Sequence, residues 1–213
     1  MINFFNKRKS NIKSIVLPDF GWEKEKDEDA IMHWANPDFP IALSLNYFYS
    51  KPDIPSIKQV GILRDFYRNQ IVQHNGGLIQ TDLVELKGHQ AIKTIFKIPQ
   101  QPKGMAYLGS LTIPFRDRSY VIKIQAFEMG MTGIREAVIL DRMLKAGEVN
   151  LDNWTLDPYN STYTKGSPMN KSEQLIHDAE FEDHPLTLVR SYLTKIEQDI
   201  EFKSELRKLK KFE

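Results

Sequence analysis

Apolar and polar residues alternate near the start of the chain in the pattern typical of half-buried strands. Between residues 41 and 49 every second residue is apolar, so one face of this segment is expected to pack against a core. A strand is also expected at residues 30–34, and Asn36, Pro37 and Asp38 after it favour a turn. The pattern therefore predicts two adjacent strands joined by that turn.

A helical pattern follows these strands. Its apolar residues recur at the spacing of one helix face, and the charged residues fall outside that face. Ser56 and Gln59 match the capping box found at helix starts. Gly76-Gly77 is expected to end the helix, because glycine readily adopts the left-handed conformation beyond a helix terminus. The apolar stripe consists of Ile57, Val60, Leu63, Phe66, Tyr67 and Ile71.

Runs of β-branched and aromatic residues between turn-forming residues predict four further strands. Residues 87–89 separate the first two strands, and residues 116–118 separate the last two. Strands joined by such short links pair antiparallel, because a parallel pair needs a connection of about a dozen residues or more. The four strands are expected at residues 78–86, 90–98, 105–114 and 120–127.

The last third of the chain combines two predicted helices with a long irregular segment. Thr132 can cap a helix that runs to about residue 145, and His184 and Pro185 begin a final helix expected over residues 185–211. Between them, residues 146–184 are rich in Asn, Asp, Ser, Thr and Pro, and are expected either to wrap around the domain or to carry function.

These elements predict one α+β domain over residues 1–213. Its core, residues 30–145, is expected to be an antiparallel β-sheet with helices packed on it, to which the wrap and the C-terminal helix are added. Residues 1–20 lack periodicity and are expected to form an N-terminal arm.

Composition excludes several classes of function. With 29 Lys and Arg against 28 Asp and Glu, the net charge of +1 gives no overall field that would attract nucleic acid. The chain has no cysteine, so disulfides, thiolate metal sites and a cysteine nucleophile are excluded. No glycine-rich phosphate loop or dinucleotide motif is present, and no cofactor is expected. The N-terminus lacks a secretory signal and no apolar run reaches the roughly 18 residues of a membrane helix, so a cytoplasmic location is expected.

The polar residues most suggestive of a site lie near predicted strand ends and turns. Arg135 falls in the first turn of its predicted helix, where the helix dipole disfavours a cation. It is therefore expected either to help Thr132 and Gly133 hold an anion or an acidic partner, or to pair with Glu128 or Asp141. The candidate binding residues are Arg116, Arg118, Glu128, Thr132, Arg135, Glu136 and His184.

Two other segments carry alternative interpretations. The acidic residues between His177 and His184 are either metal ligands or, as the dipole favours, the start of a helix; their spacing matches no metal motif, and no metal is expected. The basic C-terminal residues alternate with Phe202, Leu206 and Leu209. They form either an amphipathic helix for a membrane surface or a partner, or an ordinary helix end.

From about residue 34 to 145 the order of elements resembles the PsbP-type sandwich fold, shared with the nuclear-import cofactor that binds the Ran GTPase. The resemblance rests on the hairpin, the helix ending in Gly76-Gly77 and the four-strand meander. The sequences YLGSLTIP (residues 107–114), TGIREA (132–137) and DHPL (183–186, with Arg190) are similar to a group of uncharacterised bacterial proteins. Relatives of this fold act mostly as binding or assembly factors, so the resemblance implies a binding role.

The leading hypothesis is therefore a non-catalytic, partner-binding or accessory bacterial protein, for instance of the immunity type, with another protein as its partner. Its binding surface is expected to join the turn at residues 116–118, the helix start at residues 132–136 and the wrap before His184. The alternative is a small-anion-binding protein or an enzyme that uses Glu128, Arg135 and His184.

Overall fold

The structure is a computed structural model that describes residues 10–213. Within that range the chain forms nine strands and three α-helices. The strands are β1 (Ile15–Val16), β2 (Glu23–Asp27), β3 (Ile31–Ala35), β4 (Ile41–Phe48), β5 (Gly77–Leu86), β6 (His89–Pro99), β7 (Met105–Phe115), β8 (Arg118–Phe127) and β9 (Glu201–Phe202). The helices are α1 (Val60–Val72), α2 (Ile134–Lys145) and α3 (Pro185–Asp199).

Seven of the strands form one sheet in the order β2-β3-β4-β8-β7-β6-β5. Every neighbouring pair in it is antiparallel, and five of the six pairs join strands that follow each other in the sequence. The sixth pair, β4 with β8, brings the two halves of the sheet together. This architecture confirms the predicted α+β class, a large antiparallel sheet with helices packed against it.

The pairing of β4 with β8 determines which loops meet at each end of the sheet. Ile41, the first residue of β4, lies opposite Ala126 near the end of β8. Just beyond this pair, the N–H of Phe127 donates to the carbonyl oxygen of Pro40 at 3.1 Å. The turn between β3 and β4 therefore lies beside the loop that leads from β8 to α2.

Helices pack on both faces of the sheet. On β6, Ala91 and Ile95 belong to the main core, whereas Ile92 and Phe96 pack with residues of α1. Successive strand residues point to opposite faces, so α1 and the main core lie on opposite sides. The main core is closed by α3, which packs on β7 and β8 through the buried residues Leu186, Val189, Leu193 and Ile196.

The irregular segment at residues 146–184 is tied to the rest of the fold by buried polar contacts. The guanidinium of Arg68 in α1 donates to both carboxylate oxygens of Asp157, at 2.7 and 2.8 Å. The hydroxyl of Tyr159 accepts a hydrogen bond from the N–H of Thr81 at 2.8 Å. Two short 3₁₀ helices, Lys171–Glu173 and Leu175–Glu180, complete the segment.

The predicted C-terminal helix is twelve residues too long. α3 ends at Asp199, and the next residues form β9, which pairs with β1 through Ile15 opposite Phe202. Leu206 and Phe212 are buried against the fold. Tertiary pairing thus overrides local helix propensity, and the basic end is not an amphipathic helix with an apolar face for a membrane.

The N-terminal prediction also needs correction. Ile12 and Ile15 are buried in the main core, so residues 10–20 are part of the fold rather than an arm; residues 1–9 lie outside the described range. β2 was not predicted, because its sequence, EKEKD, is fully exposed and shows no apolar alternation. An edge strand tolerates this composition, since charged side chains protect its unpaired backbone from other strands.

The predicted caps of α1 and α2 differ from those in the structure. α1 begins at Val60 with Gln59 as its N-cap and no side-chain capping bond, so Ser56 does not cap it. α2 is preceded by Gly133 in the left-handed conformation, with φ of 75°, and again no side chain of the cap residue bonds the helix. Thr132 is therefore not the cap of α2.

Gly109 tests the packing of α3 on β7. A Cβ atom at this position would lie 2.5 Å from Val189 Cγ1 and 2.6 Å from Leu193 Cδ1, both in the buried stripe of α3. Gly109→Ala is expected to lower the free energy of unfolding by about 1–3 kcal/mol through overpacking, measured by urea denaturation.

Gly61→Ala provides the matched control. In α1 no heavy atom lies within 4 Å of the added Cβ, so alanine should raise the free energy of unfolding by up to about 1 kcal/mol, as expected for helix propensity. A neutral result at Gly109 would contradict the close approach of α3.

Candidate functional site

A groove of about 400 Å³ opens at one end of the sheet. Three segments line it: the turn between β3 and β4, the loop between β8 and α2 together with the first turn of α2, and residues 180–188 around the start of α3. The first two are adjacent because β4 pairs with β8, and the third is adjacent because α3 packs on β7 and β8.

The walls of the groove are apolar and unusually exposed. Met129 and Met131 are 68% and 79% exposed, and Ile134 and Phe39 are 46% and 43% exposed. Isolated apolar residues on a surface are common, but a contiguous patch of exposed apolar residues marks an interaction site. Methionine is well suited to such a surface, because its unbranched side chain adapts to the shape of what it contacts.

Carboxylates form the rim on the side of the α3 start. Glu180, Glu182 and Asp183 are exposed there. Glu180 is paired with Arg142 of α2. The groove is thus an apolar cleft with an acidic edge.

Glu128 lies inside the groove and caps α2. Its Oε1 accepts a hydrogen bond from the N–H of Gly133 at 3.0 Å, and its Oε2 accepts one from the N–H of Met105 at 2.8 Å. Burial alone would raise the pKa of Glu128, but these bonds and the neighbouring His184 imidazole outweigh burial and hold that pKa below its ordinary value. The carboxylate therefore supplies the cap that was expected from Thr132.

His184 joins the start of α3 to Glu128. Its Nδ1 accepts a hydrogen bond from the N–H of Leu186 at 3.2 Å, which makes it the N-cap of α3. Its Nε2 lies 3.6 Å from Glu128 Oε1. Pro185 occupies the first position of the helix, where its missing N–H has no cost.

Arg135 lies at the base of the groove and is only 1% exposed. Its guanidinium donates to the carbonyl oxygens of Ser172 and Gln174 at 2.7 and 3.1 Å, and to the hydroxyl of Thr187 at 3.0 Å. It also forms an ion pair with Asp178 at 2.8 Å. The expected pairing with Glu128 or Asp141 is therefore wrong, because the carboxylate that pairs with Arg135 is Asp178.

A second buried ion pair lies next to Arg135. Lys97 and Glu173, which are 3% and 2% exposed, are joined at 2.7 Å, and the hydroxyl of Tyr107 donates to Glu173 at 3.0 Å. Burial raises the pKa of Tyr107 well above its ordinary range, and the charges of Glu173 and Glu128 raise it further.

These contacts limit what chemistry the site can perform. The guanidinium of Arg135 donates four hydrogen bonds to internal acceptors, and both oxygens of Glu128 already accept backbone hydrogen bonds. Nδ1 of His184 likewise accepts a backbone hydrogen bond, so only Nε2 of that ring remains to contact a ligand. Among residues 10–213, no three His, Cys, Asp or Glu side chains are arranged to hold a metal ion.

The candidate residues do not form one surface. Glu128, Arg135 and His184 line the groove, and Glu136 lies beside it, accepting a hydrogen bond from the indole of Trp154. Arg116 and Arg118 lie at the opposite end of β8, which at about 3.3 Å per residue places them roughly 30 Å away.

Arg118 has a separate structural role. It is 9% exposed and bonds Asp117 and the hydroxyl of Ser10, whereas Arg116 is exposed. The predicted joint surface of residues 116–118 with residues 132–136 is therefore wrong.

Several residues of the site were missed by the sequence reasoning. Asn170 and Glu173 form a capping box, and their N-x-x-E spacing is a signal that could have found this buried carboxylate. Met129 and Met131 form an apolar pair around a glycine in a loop, which is a weaker signal. Phe39 gave no signal, because its place beside them depends on long-range strand pairing.

Comparisons with known proteins show similarity at the level of the fold. No protein-family model and no curated protein match the chain. The Saccharomyces cerevisiae Ran-binding protein Mog1p is 10% identical with a TM-score of 0.46, over 89% of this chain and 90% of its own. A Pseudomonas aeruginosa protein of unknown function is 12% identical with a TM-score of 0.35, over 60% of this chain and 85% of its own. A Bacteroides thetaiotaomicron protein is 11% identical with a TM-score of 0.34, over 60% of this chain and 39% of its own.

The role of Arg135 can be measured by mutation. Arg135→Met would leave the carbonyl groups of Ser172 and Gln174 without this donor and Asp178 with one cation fewer. The free energy of unfolding should fall by about 3 kcal/mol. The control is Arg142→Met in the same helix, whose exposed pair with Glu180 should contribute little. The free energy of unfolding of both variants is measured by urea denaturation. An equal decrease for Arg135→Met and Arg142→Met would contradict the structural role of Arg135.

The lowered pKa of Glu128 predicts a pH dependence of stability. Because the pKa is lower in the folded state than the unfolded value of about 4.3, ionised Glu128 stabilises the fold above that pH. This stabilisation is lost as the pH falls through the folded value. In Glu128→Gln, the free energy of unfolding should therefore decrease less than in wild type between about pH 6 and pH 3. Glu148→Gln, at an exposed position, serves as the control. If the free energy of unfolding of Glu128→Gln decreased with falling pH as much as that of the wild type, the prediction would be refuted.

Proposed function

We propose that this chain is a non-catalytic binding protein that holds a segment of another protein in the groove at the α2 and α3 starts. The observation that carries this proposal is the contiguous exposure of Phe39, Met129, Met131 and Ile134 around one cleft. Apolar anchors set in a cleft are the part of a protein interface that contributes most of its binding energy.

The acidic rim specifies the chemistry of the partner. Glu182 and Asp183 border the apolar walls, so a segment with apolar residues on one side and Lys or Arg on the other would be complementary to the whole site. Such charge pairing affects mainly the association rate and the choice of partner. An amphipathic basic helix or strand is the proposed occupant.

The satisfied polar groups behind the groove support binding over catalysis. Arg135, Glu128 and His184 hold helix starts and loops in position, which keeps the backbone around the groove in a fixed arrangement. A rigid binding surface loses less conformational entropy when a partner docks. We infer an accessory role of the immunity type in a bacterial cytoplasm, consistent with the sequence-based hypothesis. No helix within residues 10–213 is long and apolar enough to cross a membrane.

A small-anion-binding protein or an enzyme is the second candidate. It is favoured by one observation, which is that Glu128, Arg135 and His184 line the same groove. Its chemistry would depend on the Nε2 of His184, 3.6 Å from Glu128. This candidate predicts that phosphate or a carboxylate shifts the proton resonances of His184 at millimolar concentration, which the protein-binding proposal does not.

Site-specific photo-cross-linking tests the proposed interface. Benzoylphenylalanine at position 131 should cross-link a partner in living cells, and the same group at position 49 should not. Tyr49 is the matched control because it is 70% exposed and follows β4 at the other end of the sheet. Mass spectrometry of the adduct should identify a partner segment that is apolar and basic.

A purified partner allows the affinity to be measured. Met131→Glu adds a carboxylate to the wall and should weaken binding about tenfold or more, whereas Leu151→Glu, at a residue 77% exposed and outside the groove, should not. Equal cross-linking from positions 131 and 49, or an acidic partner segment, would overturn the proposal.

A further inference from the structure

A recess of about 480 Å³ opens at the end of the sheet opposite the groove. It lies between the turn that joins β7 to β8 and the C-terminal segment at residues 208–210, and it is open to solvent. Its lining consists of Arg116, Asp117, Lys208, Leu209 and Lys210. The proposed function does not use this recess.

Backbone pairing holds the two sides of the recess together. The N–H of Arg116 donates to the carbonyl oxygen of Lys210 at 3.0 Å, and Phe115 pairs antiparallel with Lys211 in an isolated β-bridge. Phe212, the next residue, is buried at 7% exposure. The fold therefore keeps the cations of the two sides beside each other, although their side chains are exposed.

The cations around the recess have no carboxylate partner within residues 10–213. In that range every arginine except Arg116 and Arg207 forms an ion pair. Arg116 lines the recess, and Arg207 directly precedes Lys208 in the chain. Lys208 and Lys210 likewise form no ion pair with a described residue. The unpaired arginines of the described chain are thus concentrated at this end of the sheet.

Asp117 is the one acidic residue among the described residues that line the recess, and it is already paired. Its two carboxylate oxygens accept hydrogen bonds from the guanidinium of Arg118, at 2.9 and 2.8 Å. These bonds lower the pKa of Asp117, so its negative charge is retained and directed to Arg118. Arg116, Lys208 and Lys210 are therefore left without a counter-charge in the recess.

The positive charge of the C-terminal segment also acts on His89. Burial lowers the pKa of His89 below its ordinary value, and the charges of Lys211 and Arg207 lower it further. Neighbouring cations disfavour a protonated imidazole in this way. The segment therefore adds to the positive field at this end of the sheet.

The lining favours a small ligand over a macromolecule. Leu209 is the one apolar residue of the described lining, so a protein partner would find no group of apolar anchors there. No aromatic residue is among the described residues of the lining, whereas proteins that bind single-stranded nucleic acid stack its bases on such residues. Closely spaced cations are the remaining means of recognition, and they suit a small ligand that carries several negative charges.

We propose that this recess binds a short chain of linked phosphate groups. The planar guanidinium of Arg116 matches two oxygens of one phosphate, and the ammonium groups of Lys208 and Lys210 act as point charges on the others. Neighbouring residues on antiparallel strands have Cα atoms about 4.5–5.5 Å apart, so Arg116 and Lys210 can contact adjacent phosphates of one chain. Two sources carry this chemistry, an inorganic oligophosphate and the phosphate groups of a nucleotide.

Isothermal titration calorimetry on the full chain measures this binding. At low ionic strength inorganic tripolyphosphate should bind about tenfold more tightly than orthophosphate, because it reaches more of the cations at once. The affinity should fall as salt is added, since the recess is open to solvent. ATP without metal ions separates the two sources. Equal affinity for ATP and tripolyphosphate would assign the phosphate groups alone, and tighter binding of ATP would assign a nucleotide.

Paired substitutions locate the site. Arg116→Gln combined with Lys210→Gln should weaken tripolyphosphate binding about tenfold, because both cations are lost while the backbone pairing is kept. The control combines Lys103→Gln with Lys165→Gln, at two exposed lysines outside the recess. It removes the same total charge and should leave the affinity unchanged. Circular dichroism checks that both variants are folded.

Nuclear magnetic resonance tests the location without any substitution. In the unmodified protein, tripolyphosphate should shift the backbone amide signals of residues 116 and 208–210, and it should leave those of residues 129–134 in the groove unchanged.

Three outcomes would overturn the inference. The first is equal affinity for orthophosphate and tripolyphosphate. The second is an equal loss of affinity in the two double variants. The third is binding of a thymidine oligonucleotide or of phosphatidylglycerol vesicles combined with no response to tripolyphosphate, which would assign these cations to a macromolecular surface instead.

Discussion

The buried charge cluster around Arg135 fixes the arrangement of the groove. Asp178 accepts hydrogen bonds from Arg135 of α2 and from Arg190 of α3, both at 2.8 Å, so one carboxylate joins two helices and the segment between them. Leaving any of these charges buried without a partner would cost several kcal/mol. The segment at residues 170–178 therefore has to lie between α2 and α3, and Phe181 to His184, which follow directly, are placed at the groove.

Glu128 also connects several elements, and it lies closer to the solvent than Arg135 does. Its two oxygens accept hydrogen bonds from the first residue of β7 and from the residue before α2, and His184 at the start of α3 lies beside it. A carboxylate that holds three elements in this way has little capacity left to act on a substrate. The side chains that the walls of the groove expose are then the apolar ones, and this is why we interpret the groove as a binding surface.

The sequence predicted the elements whose local pattern of apolar residues reflects their burial. It did not predict the features that depend on contacts between residues far apart in the chain. The alternation in β4 and the apolar stripe of α1, which includes the buried residues Leu63 and Ile71, reflect burial directly, so both were predicted. β2 was missed because an exposed edge strand needs no apolar residues, and the turn to β9 was missed because its pairing partner, β1, lies about 185 residues earlier. The position of Arg135 in the first turn of α2 indicated that it needs an acidic partner, yet that partner, Asp178, lies 43 residues away and no local spacing indicates it.

The width of the sheet explains why two concave surfaces exist, namely the groove at the α2 and α3 starts and a cavity between residues 15–20 and strands β2 to β4. Seven strands about 4.8 Å apart span about 29 Å, whereas a helix with its side chains is only about 10 Å wide. α3 therefore covers β7 and β8 but cannot also cover β2 to β4, where residues 15–20 close the face only in part and leave the cavity lined by Trp34. At the end of the sheet the same helix covers the strands no further than Pro185, and the loops beyond it form the groove. One helix on a sheet too wide for it thus leaves one recess beside the helix and one beyond its start.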